Sequence, residues 1–243
     1  MSGPGEEFGV QIKKRSGWLI PLGVFVVTAA LSALILAYYL APAPTRLLGD
    51  QPAPSDSTVP VTLSIAGKGF HIPANYILFA SARKGGALKG LELVALLPDL
   101  QGYTLATAQE FASAAPDSRV VNLAIREETS ALSERDRLDR AYLPLVENRD
   151  GVSSAYSLTE YAFRADSVYR NEELFVGEAD DGQPVLLRCE HATPDVPSPN
   201  CTGDLRLPDS LSLSYRFKRS HLDRWHDIDS GVRALAGAFM DKS

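Results

Sequence analysis

Trp18-Leu-Ile-Pro-Leu-Gly-Val-Phe-Val-Val-Thr-Ala-Ala-Leu-Ser-Ala-Leu-Ile-Leu-Ala-Tyr-Tyr-Leu40 runs for 23 residues without a charge. A helix needs roughly 20 apolar residues to cross the hydrocarbon core of a bilayer. Trp18 at one end and Tyr38-Tyr39 at the other suit the aromatic belts at headgroup level. Pro21 falls in the first turns, where a missing backbone donor costs least. Lys13, Lys14 and Arg15 precede the run, and the first charges after it are Arg46 and Asp50. The positive-inside bias then predicts a cytoplasmic N-terminus and a C-terminal part outside. A cleavable signal peptide is the competing reading, because Ala41-Pro42-Ala43 has the small-x-small look of a cleavage site. Its apolar region would span only about 7–15 residues, however, and Pro44 would lie directly behind the cut bond. With no cysteine near the end of the run, a lipoprotein anchor is not expected. Residues 18–40 are therefore read as an uncleaved signal-anchor in the inner (plasma) membrane.

The rest of the chain divides around that anchor. Residues 1–17 are expected to be a cytoplasmic tail. Residues 41–60 hold prolines 42, 44, 52, 54 and 60, and repeated X-Pro steps favour an extended linker, up to about 60 Å long at 3.1 Å per residue. Residues 61–240 are long enough to bury a single core without metals or many disulfides. The whole chain carries −6. Lys13, Lys14 and Arg15 against Glu6 and Glu7 leave +1 in residues 1–45, so the remainder carries −7. An acidic domain lacks the electrostatic footprint of a nucleic-acid binder, so no nucleic-acid partner is expected.

Alternation at Val61, Leu63 and Ile65 predicts a half-buried strand over 59–65, turned back at Gly67-Lys-Gly69 towards 70–72. Residues 75–79 and 91–97 read as a strand pair around the Gly-rich loop 81–90, which lacks the order of a phosphate-binding loop. Further strands are predicted at 119–125, 158–163, 173–177, 185–189 and 211–217. A short helix is expected from Thr107 and another from Ser133, with Leu138, Ala141, Tyr142 and Leu145 on one face. The strongest helix closes the chain. Ser220 is its predicted cap, and Leu222, Trp225, Ile228, Val232, Leu235, Ala236 and Phe239 recur at helical spacing. Neighbouring hairpins with two or three helices predict an α+β domain on one mainly antiparallel sheet.

Cys189 and Cys201 flank a Pro-rich loop on the outer side of the anchor, and such an isolated pair reads as a disulfide. Closing a loop of about 13 residues should contribute roughly 3 kcal/mol. A redox-active Cys-x-x-Cys spacing is missing, and His191 alone does not complete a zinc site. No hydrolase, kinase or metalloprotease signature is present, so no catalytic, cofactor-binding or metal residue is assigned. The densest polar constellation is His221, Asp223, His226, Asp227 and Asp229. It reads as the solvated face of the terminal helix, with Asp229 and Arg233 as a surface i,i+4 pair worth a few tenths of a kcal/mol.

The segments Glu173-Leu-Phe-Val176, Leu187-Arg-Cys189, Pro197-Ser-Pro-Asn-Cys201, Leu213-Ser-Tyr-Arg-Phe217 and Leu222-Asp-Arg-Trp-His-Asp-Ile-Asp229 cover roughly the C-terminal third. They resemble uncharacterised single-pass membrane-anchored periplasmic proteins of proteobacteria. The resemblance implies an inner-membrane protein with a periplasmic domain, and it carries no activity to transfer. Two function classes follow: a non-catalytic interaction or scaffold component of an envelope complex, with an envelope protein and the lipid bilayer as partners, or a periplasmic enzyme or ligand-binding domain built from scattered residues such as His71, His191 and the terminal-helix aspartates.

Overall fold

A computed structural model describes residues 18–40, 51–128 and 132–241, without the side chains at 19 and 36–40. The tail expected over 1–17 and the linker residues 41–50 lie outside the described residues. The chain divides into two units, 1–48 and 49–243. In the first, α1 (Leu19–Leu40) is helical over 22 residues. Among the described residues no helix is long and apolar enough to cross a membrane.

The second unit is α+β. Strands β4 (Gly90–Leu96), β5 (Val120–Glu127), β6 (Val152–Ser153), β7 (Thr159–Ala162), β8 (Glu172–Glu178), β9 (Pro184–Glu190), β10 (Asn200–Leu207) and β11 (Leu211–Lys218) form one sheet. Their order is β4-β5-β11-β10-β9-β8-β7-β6, and every pairing is antiparallel. Six consecutive strands thus run as a meander, and β11 then docks on the β4–β5 hairpin. A second sheet has the order β2-β1-β3, from β1 (Pro60–Ile65), β2 (Lys68–Pro73) and β3 (Gly86–Leu88).

The alternation read at 211–217 is realised residue by residue. Leu211, Leu213, Tyr215 and Phe217 are buried, while Ser212, Ser214 and Arg216 lie on the other face. Inward-facing side chains of the large sheet meet the small sheet (Leu63, Ile65, Phe70, Ile72) and the terminal helix in one apolar core. A smaller core lies beyond the opposite face, where Tyr142 and Val146 cover Leu174 and Leu186. Arg188 crosses it, its guanidinium 5.2 Å from the Tyr169 ring centroid and 2.9 Å from Glu172.

Cys189 and Cys201 sit directly opposite each other on β9 and β10 and are bonded. The disulfide therefore staples neighbouring strands and closes the loop 190–200. Two glycines make room for large rings. Gly203 faces Tyr215 across β10 and β11, and Gly177 faces the Trp225 indole; a Cβ at either position would strike the ring.

Several expectations need correction. Residues 75–79 are not a strand paired with 91–97. Ala74–Tyr76 is a 3-10 turn, and Ile77 makes one bridge to Leu93. The Gly-rich loop supplies β3, which pairs parallel with β1. The short helix predicted from Thr107 is α2 (Ala108–Phe111), and Thr104 caps the 3-10 turn before it through Thr107. Ser133 caps α3 (Glu134–Arg137), accepting from the Asp136 N–H, but the segment continues as a π turn over Leu138–Tyr142. Ser220 does not cap the terminal helix. Residues 219–224 form 3-10 turns, and α4 (Trp225–Phe239) begins after Arg224. Ser220 instead donates to the Pro116 carbonyl at 2.9 Å. Pro52 and Ala53, within the expected linker, already pair with Phe79 and Leu78.

Candidate functional site

The terminal-helix constellation separates in space. His221 Nε2 lies 3.2 and 3.1 Å from the carbonyls of Asp117 and Ser118, tying the 3-10 turns to the loop before β5. Asp223 is exposed. His226 Nε2 is 3.2 Å from Asp180 on the surface, and Asp227 is 3.9 Å from Arg224. These four residues do not converge on one point, so their reading as solvated positions suits the geometry.

Asp229 is different. It is 2% exposed and accepts from the Tyr215 hydroxyl at 2.8 Å and from Arg233 Nε at 2.7 Å. The expected surface pair is thus a triad of buried Tyr215 and Asp229 with half-buried Arg233, linking α4 to the centre of the large sheet. Burial, and next the neighbouring Asp229 charge, push the Tyr215 phenol well above its usual value. For Arg233, burial works against the charge, but the hydrogen bond and charge of Asp229 outweigh it and hold the guanidinium above its ordinary value. The triad borders a recess of about 130 Å³ shared with Asp180, Asp181 and His226. Its parts are already bonded to one another, which suits a structural connector.

His71 stands in a row with Thr62 and Asp241. The Thr62 hydroxyl is 3.0 Å from Nδ1, and Asp241 is 3.0 Å from Nε2. Hydroxyl, imidazole and carboxylate occur in the order of an acyl-transfer relay. Such a relay also needs oxyanion donors and exclusion of water. Here His71 is 57% and Asp241 43% exposed, on the open side of the small sheet. The row fastens the C-terminal residues, where the Asp241 N–H donates to the Gly69 carbonyl and Met240 bridges Phe70.

Two of the concave features bear on function. The first is a polar cleft of about 610 Å³, lined by Glu173, His191, Pro197, Ser198, Arg219 and Ser220. β8, the disulfide-closed loop and the turn after β11 each supply a wall. Arg219 Nη2 is 2.5 Å from Glu173 Oε2, an ion pair whose angle is poor for a hydrogen bond. His191 Nε2 is 3.8 Å from the other carboxylate oxygen, and the Arg219 guanidinium also lies over the Phe175 ring. Of the cleft residues only His191 stood out in the sequence. A signal for Glu173 was available: an acid at an inward position of β8, in register with Cys189.

The second feature is the outer face of the large sheet. Over β9, β8 and β7 it is covered by the smaller core, but over β4, β5, β11 and β10 it forms a shallow hollow of about 230 Å³. Glu92, Asn122, Ala124, Arg126, Thr202, Ser214 and Arg216 line it. The floor is made of small and polar side chains, and no aromatic residue projects from it.

No family model and no curated protein matches the chain. Two solved structures align with it. An immunity protein of the Stenotrophomonas maltophilia type IV secretion system aligns with a TM-score of 0.51 at 16% identity, covering 76% of this chain and 95% of that one. The iron-regulated outer membrane lipoprotein FrpD of Neisseria meningitidis aligns with a TM-score of 0.39 at 14% identity, over 69% of this chain and 84% of that one. At these identities the first likeness speaks for the fold, and the second adds nothing to it.

Proposed function

We propose that this chain is a single-pass membrane protein whose extracytoplasmic domain binds another envelope protein and catalyses no reaction. The observation that carries the reading is the half-covered large sheet. Four strands present a broad, shallow, polar face, a shape suited to a protein surface rather than to an enclosed small molecule. Several ionisable side chains elsewhere are engaged in pairs that join elements, as with Arg219–Glu173 and Arg188–Glu172. The likeness to an immunity protein supports a binding role of this kind. For the anchor, the α1 backbone is helical over 22 residues, about 33 Å at 1.5 Å per residue, and the sequence puts no charge there. The cationic flank at 13–15 and the resemblance of the C-terminal third favour the inner membrane with the domain in the periplasm. A second reading rests on the cleft at Glu173, His191 and Arg219, whose size would admit a small polar ligand.

The test is photo-crosslinking in cells that make the full chain, with benzoylphenylalanine at Ser214 on the open face or at exposed Asp223. A discrete protein adduct from Ser214, absent from Asp223, is the expected outcome. Silence at Ser214, with loss of function instead following Glu173→Ala and His191→Ala, would transfer the function to the cleft.

A further inference from the structure

The open face has a charge pattern that narrows the class of partner. Its outward strand positions carry Arg126, Arg206, Arg216 and Lys218 against Glu92 and Asp204. This cationic excess sits in a chain of net charge −6. The local pairings concentrate it further. Arg126 Nη2 is 2.6 Å from Glu92, and Asp204 lies 3.9 Å from both Arg137 and Arg188. Arg216 and Lys218 make no ion pair among the described residues. Their cross-strand neighbours are Asn122 and Thr202 beside Arg216, and Asn200 beside Lys218, so no carboxylate flanks either one.

We propose, on the basis of the protein-binding reading, that this face receives an extended acidic segment of the partner protein, laid along β11 over Arg216 and Lys218. Spacing supports the match. Arg216 and Lys218 are two residues apart on one strand, about 7 Å, and alternate side chains of an extended acidic segment repeat at that interval. Ser212, Ser214, Thr202 and Asn122 add hydroxyls and an amide at the level of the segment's backbone. Charge complementarity of this kind sets orientation and association rate more than raw affinity. An anionic membrane surface suits the face less well, because no aromatic side chain lines the hollow to enter the headgroup layer.

The probe is a fluorescent peptide, Glu-Ser-Glu-Ser-Glu-Ser, titrated by anisotropy against the full-length protein in neutral detergent, with Lys-Ser-Lys-Ser-Lys-Ser as its counterpart. The acidic peptide should bind and weaken as salt is raised from about 50 to about 300 mM. Arg216→Glu together with Lys218→Glu should reduce binding at least about tenfold. Arg170→Glu, half that charge change at an exposed site elsewhere, should leave it within about twofold. Arg216→Gln keeps the polarity and stands in if the double reversal fails to fold. The proposal is overturned if wild type ignores the acidic peptide, if the lysine peptide binds as well, or if Arg170→Glu is equally damaging. It also falls if vesicles containing phosphatidylglycerol take up wild type and not the double reversal while the peptide is ignored. Should the Ser214 crosslink persist unchanged in the double reversal, the docking face stands and the acidic occupant is wrong.

Discussion

At the scale of single residues, Tyr215 joins the sheet to the helix through its hydrogen bond to Asp229, which also accepts from Arg233 of the same helix. Removing the phenolic hydroxyl leaves the buried carboxylate one donor short, so Tyr215→Phe should destabilise the domain by about 1–3 kcal/mol in urea unfolding at neutral pH. The same residue sets an alkaline limit. Its folded pKa is raised by burial and then by Asp229, whereas the unfolded phenol titrates near 10. The linked stability is complete below about pH 10 and is lost as pH climbs from there towards the raised folded value. Stability measured between about pH 9 and 11 should fall less steeply in Tyr215→Phe than in wild type. An identical slope would remove Tyr215 from the account. The burial of Asp229 was legible in principle. It lies four residues after Trp225 and three before Val232, which places it on the apolar stripe, and an acid there calls for buried donors. Tyr215, its main partner, is adjacent only through the tertiary fold, and no local pattern announces that.

Among the elements, α4 was the clearest in the sequence, and its stripe is buried as spaced: Trp225, Ile228, Val232, Ala236 and Phe239 are each at most 6% exposed. The Trp225 ring fills the space above Gly177, and its indole N–H donates to the Tyr156 carbonyl at 2.9 Å. Trp225→Ala should therefore cost about 3–5 kcal/mol. His226→Ala, next to it but 46% exposed, should change stability by less than about 0.5 kcal/mol. Urea denaturation with the disulfide intact compares the two, and a costly His226→Ala beside a mild Trp225→Ala would reverse the assignment of faces. The meander strands were equally readable, because one wet and one dry face enforce alternation. β3 and β10 were missed for different reasons. β3 is three residues in a Gly-rich loop and pairs parallel with a distant strand. β10 carries Gly203 at the inward position opposite Tyr215, so its hydrophobic alternation is broken where the ring needs the room.

For the molecule as a whole, the proposed topology has the N-terminus inside and everything after residue 40 outside. Alkaline phosphatase fused after Ser243 should be active in intact cells, and a well-expressed but inactive fusion would reverse the topology. The composition and patterning carried the α+β class and the mainly antiparallel sheet. They did not carry the order of the sheet, because β11 pairs with β5 across a long stretch of chain, nor the open face, which exists only once that pairing is made. The pairing has a further consequence for biogenesis. A chain emerging from its N-terminus delivers the β4–β5 hairpin long before the strand that joins it to the meander. Until Leu211–Lys218 emerges, β5 and β10 each hold a row of unsatisfied amides and carbonyls. A polypeptide truncated before that point cannot complete its sheet, whatever else has folded, and its bare strand edges mark it for chaperones and proteases as unfinished.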